Sequence, residues 1–121
     1  MMMTLQECYQ AMGGSYEEVL GRFRSEKLIQ KFVLKFLADP SYENLHQALN
    51  GGNGEEAFRA AHTLKGVSQN LSFTRLYEAS RDLAEALRDG KTLTDEHLIQ
   101  GVDEAYSQVA SAIRTFESSV C

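Results

Sequence analysis

The apolar residues near the end of the chain fall at Leu98, Val102, Ala105, Val109, Ala112 and Phe116, alternately four and three positions apart. A strand would alternate every second residue. This spacing instead places all six on one stripe of a helix, the seam that helices turn toward each other in a bundle. The same period recurs upstream, where Leu76, Ala79, Leu83 and Leu87 mark another inward seam. Leu28, Ile29, Phe32, Val33, Phe36 and Leu37 form the densest apolar segment. Leu and Ala far outnumber Val and Ile, there is one proline, and no convincing period of two occurs. Strands are therefore not expected, and the chain reads as all-α.

Start and stop signals divide this pattern. Thr4 with Glu7 three residues on opens a first helix over Leu5 to Met12, which Gly13-Gly14 closes. Ser15 with Glu18 opens a second. A third runs from about Glu26 to Ala38 and ends at Asp39-Pro40-Ser41, where Pro40 disfavours helical geometry at Asp39. Tyr42 to Leu49 is a further short helix, stopped by Asn50-Gly51-Gly52. Asn53, with Glu56 completing a capping box, starts a helix that reaches Leu71. Ser72-Phe73-Thr74 reads as a tight connection, Gly90 closes the following helix, and the last runs from about Asp95 to Glu117. Four substantial helices joined by short links predict an antiparallel up-and-down four-helix bundle, with the short extra N-terminal helices packed over one end. The links at Gly51-Gly52 and Asp89-Gly90 are too short to separate domains, so residues 1–121 read as one domain with no internal repeat.

A domain of 121 residues buries roughly two-thirds of the surface its unfolded chain exposes and needs no staples. The two cysteines, Cys8 and Cys121, match no metal-ligand or disulfide pattern and read as free thiols in a reducing compartment. The longest apolar run, Phe32 to Ala38, is interrupted by Lys35 and falls far short of the ~18 residues that cross a bilayer. No secretory signal opens the chain, and a cytoplasmic location without membrane contact is expected. A formal net charge of −5, with no basic cluster and no tryptophan, argues against nucleic acid as the partner.

Within the Asn53 helix, placing residues at 100° steps sorts the side chains into two faces. Ala57, Ala61, Leu64, Ser68 and Leu71 form a core stripe flanked by Ala60 and Val67. Opposite lie Glu55, Arg59, His62, Gly66 and Gln69, with Phe58 and Lys65 on the border. His62 is thus expected at the surface, where a histidine is ordinarily unremarkable. Its company is less ordinary. Lys65 and Gly66 follow it by one turn, and a mid-helix glycine costs about 0.5–1 kcal/mol relative to alanine. Close approach by another molecule would account for that glycine, and Phe58 puts an apolar ring on the rim of the same face.

The string Ala60-Ala61-His62-Thr63-Leu64-Lys65-Gly66, followed by Leu71, resembles the signature of the histidine-containing phosphotransfer domain. Tyr16-Glu17-Glu18-Val19-Leu20 with Arg22-Phe23, the Phe- and Leu-rich helix, the Asn44-Leu45 to Leu49 segment and the Gly-Asn-Gly turn fit as well, so the resemblance covers about residues 15–118. It implies a four-helix bundle whose His62 accepts a phosphoryl group from the phospho-aspartate of a response-regulator receiver domain and passes it on. Lys65 would neutralise the phosphate oxygens. Gly66 would make room for the receiver's acidic pocket, and Phe58, Arg59 and Gln69 would lie in the docking face. By the same resemblance the partners are receiver domains or a sensor histidine kinase, Mg²⁺ belongs to the receiver, and the domain is a monomeric carrier rather than an enzyme. The family usually has Gly where Ser72 stands and often a small polar residue at Val67. A Gln or Glu that holds the histidine ring in many members aligns with Ala84, leaving Gln69 as a candidate to orient it.

No phosphate-cradling glycine string occurs, which argues against autonomous use of ATP. His46 and His97 have no charge partner at a suggestive spacing and read as surface residues. A metal site would require distant residues to converge, and none is expected. Two alternatives stay open: a helical interaction module in which no phosphate is transferred, and the phosphoacceptor domain of a chemotaxis-type kinase, which shares the His-x-x-Lys-Gly pattern.

Overall fold

Capping chemistry sets where the helices begin. In a computed structural model that describes residues 2–90 and 95–120, Thr4 and Glu7 close a reciprocal capping box on α1 (Leu5–Ala11). Ser15, Ser25 and Asn53 each accept the third backbone N–H of α2 (Tyr16–Phe23), α3 (Glu26–Phe36) and α5 (Gly54–Asn70). The acids expected to complete two of these boxes act elsewhere, since Glu56 binds Arg59 and Glu18 binds Ser72 and Arg22. α4 (Ser41–Asn50) follows Pro40, α6 (Thr74–Ala86) follows Phe73, a 3₁₀ turn lies at Arg88–Gly90, and α7 spans Glu96–Val120. Among the described residues there is no strand. Cys121 lies outside them.

Side-chain contacts fix how these helices run. Tyr42 and His46 of α4 both reach Asp103 of α7, at 2.7 and 2.6 Å, and the Tyr42 and Tyr106 rings stack 3.8 Å apart. Asn53 N–H donates back to Ala48 O across the α4–α5 link. At the other end of α5, Phe73 N–H donates to Ser68 O, while Gly90, beyond α6, comes beside Glu55 at the start of α5. α5 and α6 are therefore antiparallel. Arg75 at the start of α6 reaches Gln108 and Glu104 of α7, and Leu87 at its end lines a cavity with Glu96 and Ile99.

The leading helices extend this arrangement at one end. Met3 N–H bonds Ser119 Oγ, Cys8 Sγ faces Ala112 O, and Gln108 bonds Ala11 O, so α1 runs antiparallel along the second half of α7. Burial pushes the Cys8 thiol up to about 12, which leaves it protonated and unreactive at neutral pH. Tyr9 donates its hydroxyl to Leu71 O at 2.8 Å, and a Cβ on Gly14 would lie 2.7 Å from Ser72 O. That close approach requires glycine at position 14.

Within the densest apolar segment, Leu28 and Phe32 stay at the edge of the core, 38% and 36% exposed, because α3 buries only the stripe of Ile29, Val33 and Phe36. His46 is not an unattached surface residue, since Asp103, 57 positions away, holds it. His97 likewise has a partner in Asp95, at 3.4 Å.

Candidate functional site

α5 carries the two faces that its periodicity predicts. Ala57, Ala61, Leu64, Ser68 and Leu71 are buried, Arg59, His62, Gly66 and Gln69 are exposed, and Phe58 and Lys65 are half-buried between them. The core stripe anchors the helix, and the open stripe faces outward. His62 makes no hydrogen bond among the described residues. Its ring lies 5.8 Å, centroid to centroid, from that of Phe58, with 24° between the planes, within the range of offset aromatic stacking.

The cations around His62 divide into two kinds. Arg59 is tied to Glu56 at 2.7 Å, so it is partly neutralised before any partner arrives. Lys65 enters no ion pair among the described residues, and its ammonium is therefore available to an incoming anion. Gln69 makes no side-chain hydrogen bond to the ring, and at seven residues' remove it stands about 10 Å along the helix axis. The candidate orienter of the sequence reading does not hold the imidazole.

Gly66 has nothing within 4 Å of where a Cβ would be. No internal packing asks for glycine there, so the helix carries a poor helix former at a position where alanine would fit. Gly66→Ala is expected to stabilise the folded protein by about 0.5–1 kcal/mol in urea denaturation. A destabilised variant would reveal an internal role for the missing side chain.

The C-terminal end of α5 is held from below. Arg22 Nη1 donates to Gln69 O, Asn70 O and Ser72 Oγ at 3.2, 2.7 and 2.9 Å, satisfying carbonyls that a helix end leaves open and placing a cation at its negative pole. Ser72 adopts the left-handed conformation at φ 57°, which accounts for glycine being usual there in the resembling family. Here the serine hydroxyl offsets that strain by donating to Glu18 at 3.1 Å. Val67 sits half-buried beside Phe32 and Phe36, in a groove with Lys35.

Ala84 is 3% exposed and lies on the buried stripe of α6 with Ser80 and Leu83; its methyl group has nothing to offer the imidazole. Two residues that the sequence reading did not single out lie nearby instead. Arg88 places its guanidinium 5.9 Å from the Phe58 ring centroid, and Glu85 holds that guanidinium through contacts of 2.8 to 3.3 Å. The only signal for them in the sequence is the short link before α6, which makes an antiparallel pair and so brings the end of α6 to the start of α5.

Among the described residues no group of three or more His, Cys, Asp or Glu is placed to hold a metal ion, and no helix is long and apolar enough to cross a membrane.

The family model of the Hpt domain matches residues 37–112, the stretch that runs from just before α4 into α7. The chemotaxis protein CheA of Borreliella burgdorferi is 32% identical over 91 residues, which make up 69% of this chain and 10% of that protein. The chain thus spans about a tenth of the length of the curated relative it matches. No solved structure matches.

Proposed function

The chain belongs to the Hpt domain family, and on that footing we propose that it is a phosphocarrier of two-component signalling in which His62 takes a phosphoryl group from a receiver-domain phospho-aspartate and hands it on. What carries this reading is the open stripe of α5: an exposed imidazole, an uncommitted Lys65 one turn away, and empty space at Gly66. We read the antiparallel contacts of α4 to α7 as an up-and-down four-helix bundle that supports this stripe, with α1 to α3 packed over one end.

The chemistry follows from the groups present. A neutral imidazole attacks through the lone pair of its unprotonated nitrogen; an N–P bond forms, the aspartyl O–P bond breaks, and the carboxylate leaves. The other ring nitrogen keeps its proton, so the product is a phosphoimidazolium and a good leaving group for the onward step. Lys65 neutralises phosphate oxygens as charge shifts between donor and acceptor. In this proposal Mg²⁺ sits in the receiver, and positioning with charge stabilisation accounts for most of the catalysis. Both partners would meet the domain as a monomer in the cytoplasm.

The match to CheA favours a second reading, in which the same His62 is the phosphoacceptor of a chemotaxis-type kinase and the first donor is ATP held by another domain. The two readings share the nucleophile and differ in the donor. One experiment tests what they share: incubation with phosphoramidate, and with receiver domains charged by acetyl phosphate, followed by assay for acid-labile, base-stable phosphate. Labelling at His62 is expected. A histidine left unmodified by every donor identifies an interaction module without phosphotransfer. Lys65→Ala is expected to slow receiver-dependent transfer by about tenfold with the fold intact, read from the labelling time course; an unchanged rate would remove Lys65 from the mechanism.

A further inference from the structure

The His62 ring has no hydrogen-bond partner among the described residues, yet it is not without a neighbour. We propose that Phe58 is the positioning residue that fixes the plane of the His62 imidazole, and that Arg88, anchored by Glu85, holds Phe58 in place. This rests on His62 being the phosphoacceptor.

The torsion that rotates an imidazole about its Cβ–Cγ bond is broad and roughly two-fold, so an unattached ring sweeps through many orientations. The attacking lone pair lies in the ring plane. Fixing that plane therefore fixes the direction from which phosphorus is met, and in-line transfer from a docked donor is sensitive to such alignment. The 24° angle and 5.8 Å separation between the rings supply the constraint. Phe58 is four residues before His62 on the same helix, so the pairing is built into α5 and needs no partner protein to form it.

Phe58 is itself restrained from outside the helix. It is half-buried, and the Arg88 guanidinium stands over its ring at 5.9 Å, the geometry of a cation–π contact. Arg88 is not a loose cation: its Nε lies 3.3 and 3.2 Å from the two Glu85 carboxylate oxygens, and its Nη2 lies 2.8 Å from Oε2. The turn at Arg88–Gly90, where Asp89 has φ 64°, ends α6 beside the first turns of α5 and brings this pair to Phe58.

A docking contact and a positioning residue leave different kinetic traces. The test compares wild type with Phe58→Leu, which keeps apolar bulk but no ring, Phe58→Tyr, which keeps the ring, and Arg88→Gln. A receiver domain that labels the wild type, charged with acetyl phosphate, serves as one donor and phosphoramidate as the other. Phe58→Leu is expected to lower the saturating receiver-dependent rate by about ten- to a hundredfold. The half-saturating receiver concentration should change less than about twofold, and phosphoramidate, which approaches from any direction, should label at nearly the wild-type rate. Phe58→Tyr should restore the saturating rate, and Arg88→Gln should lower it in part. NMR of the His62 ring protons should show a ring-current shift in wild type and Phe58→Tyr that is lost in Phe58→Leu.

A higher half-saturating concentration at an unchanged saturating rate overturns the proposal and makes Phe58 a docking contact. So does the absence of the ring-current shift, or a wild-type rate in Phe58→Leu; a wild-type rate in Arg88→Gln overturns the part assigned to Arg88. A wild type that no donor labels overturns the phosphocarrier reading instead, while the ring-current shift still reports the stacking on its own.

Discussion

Replacing His62 by glutamine is expected to remove all receiver-dependent acid-labile phosphate from the protein, while leaving the helical circular dichroism unchanged. The loss is complete because His62 is the histidine on the open stripe of α5, whereas His97 lies in the first turn of α7. His46 is engaged by Asp103 on a different helix pair, and Cys8 is buried with its thiol raised to about 12. The stability change should stay within about 1 kcal/mol. Exposed substitutions ordinarily fall within ~0.5 kcal/mol, and losing the stacked pair adds about as much again. Label in the glutamine variant at the wild-type level would place the acceptor elsewhere. A collapsed fold would show that the imidazole supports the structure, against its exposure on α5.

The second large effect lies just beyond the C-terminal end of α5. Phe73→Ala is expected to destabilise the protein by about 3–5 kcal/mol, the range for truncating a buried phenylalanine. Phe73 is completely buried, and its ring meets Phe36 edge-on at 5.1 Å and Tyr9 at 5.9 Å. It therefore joins α1, α3 and the α5–α6 connection, and its removal leaves a cavity between elements that have few other ways to close it. A domain of this kind has about 5–15 kcal/mol in total, so the midpoint of urea denaturation should fall steeply with the slope preserved. His62 should still accept phosphate at low temperature, because the stripe around it does not include Phe73. A loss below about 1 kcal/mol would mean that the N-terminal helices are not anchored through this ring.

The two positions differ in how plainly the sequence announces them. The exposure of His62, the burial of Leu64 and the border places of Phe58 and Lys65 all follow from counting residues around one helix, and the structure bears them out. Leu28 and Phe32 show where counting stops: an apolar stripe wider than the core has room for leaves its edge outside, and the width of the groove that receives α3 is set by other helices. Ser72 shows the same limit for backbone geometry. Its left-handed conformation is tolerable because Arg22 and Glu18, some fifty residues earlier, meet its hydroxyl.

By itself the sequence determined that this protein is helical, where most of its helices begin and end, and that α5 turns an imidazole, a lysine and a glycine away from its buried stripe. Each of these depends on residues within a few turns of one another, and the helical repeat orders such residues without reference to the rest of the chain. Only the tertiary structure decided that Arg88 and Glu85 stand behind Phe58, and that Asp103 holds His46. These contacts depend on how helices are paired, crossed and registered, which is settled by the packing of many side chains at once.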